Sequence, residues 1–111
     1  MNKSVGIING VIGYEDILDF IIREFDENAV LSVYDNVECC YIDFKYNGRD
    51  KRFMITHKMD DFELDIIHKG TLILCGMDRA SNEVLFKIMD WCDRDSWFMR
   101  DEGNGRFERV I

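Results

Sequence analysis

The residues best placed to do chemistry in this chain are carboxylates. Their nearest approach to a catalytic pattern is Asp35 followed by Asp43-Phe44-Lys45. Asp and Glu oxygens are hard ligands that suit Mg²⁺. A second candidate is the run from Lys45 to Arg52, KYNGRDKR, with four bases and one acid in a chain of formal net charge −8. A third is Gly6, Gly10 and Gly13, which stand before a helical pattern where a phosphate-cradling loop could sit. Neither GxGxxG nor GxxxxGK[ST] is present, so punctuation of the chain around a turn accounts for them. The four cysteines contain no CxxC pair, and Cys39 and Cys40, being adjacent, point to opposite faces of a strand. We expect free thiols, no metal and no cofactor. Neither His57 nor His68 has a Ser or Cys at a diagnostic spacing, and surface or capping roles suffice for both.

The combination of Asp35 with Asp43-x-Lys45 resembles the metal-dependent nucleases of the PD-(D/E)xK type. That family joins an aspartate on one strand to an acid-x-Lys on the next, after a helix carrying another acid. The resemblance implies a nuclease-like enzyme using Asp43 and Lys45, and this is one alternative reading of function. The other is a small structural or homo-oligomeric protein that uses the hairpin tip and the terminal hairpin. Two features oppose it. No proline precedes Asp35. With Asp35 in a turn, Asp43 lies eight residues along an extended strand, roughly 26 Å away.

The elements that would position these groups follow from periodicity. Tyr14, Ile17, Leu18, Ile21 and Phe25 fall on one face of a helix, with Glu15 and Asp16 in its first turn and Asn28 as a stop. Val5–Ile8 is a short apolar run ending at Asn9-Gly10. Residues 29–34, residues 37–46 and residues 71–75 read as strands, with Asp35-Asn36 as a turn between the first two. Asn47-Gly48 predicts a two-residue hairpin. That loop sets Lys45 opposite Asp50 and Asp43 opposite Arg52, and gathers Cys40, Ile42, Phe44, Phe53 and Ile55 on one core face. Two of the four bases in KYNGRDKR are thereby paired, leaving Arg49 and Lys51 near the tip. Residues 60–69 fit a strand by the alternation of Phe62, Leu64 and Ile66, or a short helix with Asp60 or Asp61 as cap and Gly70 beyond, and the helix is the expectation. A longer one runs from about Ser81 to Asp93, capped by Ser81 or Asp78. SWFMR and RFERVI suggest a closing hairpin of unsettled register. The expected architecture is a single α+β domain over residues 1–111, an antiparallel sheet with two main helices on one face.

Charge then carries the functional expectation. The segment from Glu15 to Glu27 holds six acids and one arginine. Asp60, Asp61, Glu63 and Asp65 form a second cluster, and Asp90, Asp93, Asp95, Asp101 and Glu102 a third, flanked by Trp91 and Trp97. An acidic balance opposes direct nucleic-acid binding. Carboxylates spread on a rigid surface can instead imitate phosphates and occupy a basic groove. We therefore expect a non-enzymatic protein-binding module, an inhibitor of a basic partner such as a nuclease or another nucleic-acid-handling protein. In size and charge the chain is similar to small phage-encoded inhibitors and toxin-neutralising immunity proteins. The residues expected to bind the partner are Glu15, Asp19, Asp26, Asp60, Asp61, Glu63 and Asp65, and an exposed tryptophan among the acids would serve as an anchor. The N-terminus lacks signal-peptide features and no apolar run is long enough to span a bilayer, so a cytoplasmic protein is expected.

Overall fold

Asn47 and Gly48 both take positive φ, 53° and 77°, the backbone that a type I′ turn needs. This turn joins β3 (Cys39–Tyr46) to β4 (Arg49–Thr56), and the pairing runs from Tyr46 opposite Arg49 to Cys39 opposite Thr56. The predicted register is thus met along the whole hairpin. The computed structural model describes residues 3–25, 30–35, 39–58, 70–101 and 107–109. The helix expected over residues 60–69 lies outside them.

The remaining elements are β1 (Lys3–Asn9), α1 (Tyr14–Phe25), β2 (Val30–Asp35), β5 (Gly70–Gly76), α2 (Arg79–Cys92), β6 (Ser96–Asp101) and β7 (Phe107–Arg109). The strands form one sheet in the order β2-β3-β4-β5-β1-β6-β7, and every neighbouring pair is antiparallel. The closing hairpin takes the register Met99–Arg109, Arg100–Glu108 and Asp101–Phe107.

Both helices cover the same face, as expected for this α+β architecture. Ile17, Phe20 and Ile21 of α1 and Val84, Leu85, Ile88 and Met89 of α2 share one buried cluster with Ile8, Cys40, Ile42, Phe44, Phe53, Ile55, Ile73, Cys75 and Phe98. Alternation along the strands sends every second side chain into that layer. The contacts Phe20–Trp91 and Glu24–Lys87 run in opposite sense along the two helices, so α1 and α2 are antiparallel. The last turn of α2 therefore lies beside the middle of α1.

Two features were not anticipated. The centre of the sheet is apolar on its other face as well: Val5, Ile7 and Leu72 are fully buried there, with Leu74, Trp97 and Met99 packed on them. Gly6 is also no turn residue. A Cβ at this position would stand 2.8 Å from Leu85 Cδ1 and 2.9 Å from Met89 Sδ, so its lack of a side chain lets α2 settle onto β1. Gly10, with φ of 91°, does fit the turn expected of it. The loop after it is tied down by Thr71, whose Oγ1 donates to Gly10 O at 2.9 Å and accepts from Ile12 N at 2.8 Å.

Candidate functional site

The hairpin charges are committed to one another. Arg52 donates from Nε to Asp43 Oδ1 at 2.7 Å and from a terminal nitrogen to Oδ2 at 2.9 Å. Ser32 Oγ adds a bond to Asp43 Oδ2 at 3.1 Å. The Arg52 bonds hold the Asp43 carboxyl below its usual range, against a smaller opposing effect of burial. Lys45 pairs with Asp50 at 3.9 Å. Lys51, expected at the free tip, instead turns to the helix side and meets Asp78 at 2.7 Å. Of the four bases in this run, Arg49 alone has no ion pair among the described residues, so the hairpin offers little to an anion.

The nuclease-like arrangement finds no support in this geometry. Asp35 closes β2 instead of sitting in the turn, opposite Cys40, while Asp43 is opposite Ser32. The hairpin brings the two acids closer than a fully extended path would, about 10 Å apart along the strand. Cys40 faces the helices and Asp43 faces away from them, so the two carboxylates leave opposite sides of the sheet. Among the described residues, no three His, Cys, Asp or Glu side chains converge as for a metal ion.

All four thiols are free. Burial pushes Cys75 up to about 12 and Cys92 up to about 11; it also raises Cys40. These three are packing groups, poor nucleophiles at neutral pH. His57 is held as well: its Nε2 lies 2.7 Å from Ile12 O, and its ring stacks on Tyr14 at 4.7 Å.

The acids of the two helices give a different picture. The amphipathic pattern of α1 buries Ile17, Phe20 and Ile21 and so turns Glu15, Asp16 and Asp19 to solvent. Across from them Trp91 lies on Phe20 and is still 36% exposed. Asp16, Asp19, Ile22, Arg23 and Trp91 line an open cleft of about 420 Å³ between the helices. On the other side of the last α2 turn, Met89, Asp90, Asp93, Arg94, Asp95 and Ser96 line a second cleft of about 320 Å³. Trp91 lines the first cleft and not the second; each cleft holds more carboxylates than its single arginine.

Local physics explains the first set of acids and not the second. Glu15 and Asp16 lie in the first turn of α1, where the helix dipole welcomes negative charge. Asp90 and Asp93 lie at the C-terminal end of α2, whose last turn has no base, where the dipole opposes them. Asp93 also takes φ of 50° in the left-handed region, a position where glycine is the usual residue. Two locally unfavourable choices at one exposed place are what a surface kept for binding would show.

Of the residues expected to bind a partner, Asp19 lines the cleft and Glu15 is exposed nearby on α1. Asp26, Asp60, Asp61, Glu63 and Asp65 lie outside the described residues. Asp16, Asp90 and Asp93 are not among the residues expected to bind a partner, although Asp90 and Asp93 belong to the third acidic cluster. Trp91 is one of the two tryptophans expected to act as an anchor if exposed, and it is 36% exposed. No described helix is long and apolar enough to cross a membrane. Compared with protein-family models, with curated proteins and with solved structures, the chain matches none of them.

Proposed function

We propose that this protein is a non-enzymatic binding module that occupies a basic surface of another protein, with Trp91 as the anchor and Asp16, Asp19, Asp90 and Asp93 as the charged rim. The observation that carries this reading is Trp91, 36% exposed in an open cleft with Asp16 and Asp19, with a second acidic cleft at the end of the same helix. An aromatic centre ringed by charge is the common form of a protein-binding hot spot. A net charge of −8 would speed encounter with a basic partner and make the rate salt-sensitive. A nucleic-acid-handling protein has such a surface, and occupying it would inhibit that protein.

The test is capture from native host lysate at low and high salt, using the wild-type chain and a variant carrying Asp19→Lys and Asp90→Lys. The reading expects one basic protein, held by the wild type at low salt and lost both on adding salt and on charge reversal. A partner retained equally by the variant would place the interface elsewhere and sink the proposal.

A further inference from the structure

Among the described residues, β2 pairs only with β3, which makes it the outer strand at one end of the sheet. Such a strand offers a row of backbone N–H and C=O groups on its open side. Proteins usually guard such edges with lysine, proline, extreme shortness or a bulge. The opposite end of the sheet follows that rule, since β7 is only three residues long. β2 does not. Its sequence, VLSVYD, has no lysine, arginine or proline and is rich in residues that favour strands. A pairing irregularity between Val30 and Ser32 protects only its start. From Ser32 onward the pairing is regular, and there Val33 and Tyr34 are 43% and 62% exposed.

Charge and symmetry select the occupant. A basic partner has little to attract it along β2, whose one charge is Asp35. A second copy fits better. An antiparallel pair of identical strands is related by a two-fold axis perpendicular to the sheet, so residues opposite one another must come from the same face. Centred on Val33, this register sets Val33 against its own copy and Ser32 against Tyr34 of the second copy. Asp35 then falls opposite position 31 and not opposite another Asp35. The two Asp35 side chains end up about 13 Å apart along the strands, beyond the Debye length of about 8 Å at physiological ionic strength. On the face away from α1 and α2, Tyr34 already packs on Tyr41 at 6.4 Å. The two copies of Tyr34 become diagonal neighbours about 7–8 Å apart, within aromatic reach.

We propose that β2 pairs antiparallel with β2 of a second copy about a two-fold axis at Val33, joining two sheets into one. The test is light scattering and sedimentation of the whole chain over a wide concentration range at low and high salt. The expected particle has twice the 13.1 kDa chain mass. Added salt should strengthen it by screening the repulsion between two chains of charge −8, the opposite of the response expected for a basic partner. Val33→Lys, at an exposed position, should keep the circular dichroism spectrum and weaken self-association by more than about tenfold, while leaving capture by the Trp91 surface intact. A monomer under every condition would overturn the proposal, as would a dimer indifferent to a folded Val33→Lys variant. A monomer whose binding of some other protein is abolished by Val33→Lys would also overturn it, assigning the edge to a foreign strand.

Discussion

Trp91 lies nearly flat on Phe20, with ring centroids 4.7 Å apart and planes 13° from parallel. This one contact ties the last turn of α2 to the middle of α1. It also brings Trp91 into one cleft with Asp16 and Asp19.

Trp91→Ala should cost about 1–2 kcal/mol of stability, through the lost stacking and the partly buried area. The same change should weaken partner binding by more than about tenfold, as for an anchor residue. Fluorescence gives an independent check. Trp91, rimmed by carboxylates, should be quenched better by caesium than by iodide, and the difference should vanish in Trp91→Ala. Equal quenching by both ions would show that the acids do not set the local potential.

Asp93→Gly separates binding from folding. It relieves the left-handed φ of 50° and removes a negative charge from the C-terminal end of α2. Stability should rise by about 0.5–1 kcal/mol. If the carboxylate serves a partner, affinity should fall while the melting temperature climbs. A gain in both would deny Asp93 any part in binding.

Asp78 should give the fold its clearest acid sensitivity. Burial alone would raise its carboxyl, but the hydrogen bonds from Lys51 and from Ser81 outweigh that and bring it from 3.8 down to about 2. Because the folded value is the lower one, this stabilisation is complete above about pH 4 and is lost as the pH falls through about 2. Its side chain is 45% exposed, so solvent screening limits the effect to about 1 kcal/mol. Asp78→Asn should flatten the stability profile between those pH values yet retain much of the helix cap. Asp78→Ala should lose the cap too, for about 1 kcal/mol more. Urea titrations across the pH range measure both.

Gly6→Ala should destabilise the protein by about 1–3 kcal/mol, because the new methyl group overlaps Leu85 and Met89. Thermal melts check this directly. An unchanged melting temperature would mean that α2 can lift off β1 without cost.

The Asn47-Gly48 turn, the cross-strand pairs Lys45–Asp50 and Asp43–Arg52 and the core stripe of α1 were all legible, because each rests on residues close in sequence. Period and turn chemistry determine such features before any packing occurs. The role of Gly6 was not legible. Its significance lies in Leu85 and Met89, about eighty residues away, and a single glycine in a strand looks like punctuation until a helix is laid across it. Lys51 was misplaced for a related reason: its strand register was right, but its partner Asp78 belongs to a different element. The same distance hid the cleft proposed for binding. Asp16 and Trp91 are far apart along the chain and share a cleft only because the helices run antiparallel.

The place of β1 in the sheet has a consequence for synthesis. The strand lies between β5 and β6, both made long after it, and its buried residues are covered on both faces. Made before either partner, Val5, Ile7 and Ile8 have no lateral neighbour until Gly70–Gly76 has been translated, and lack the second until Ser96–Asp101 follows. Closing such long loops is slow compared with forming the β3–β4 hairpin. Pulse-labelled hydrogen exchange should therefore find the amides of β3 and β4 protected before those of β1. Until its two neighbours arrive, β1 is the stretch of nascent chain most in need of a chaperone's shelter.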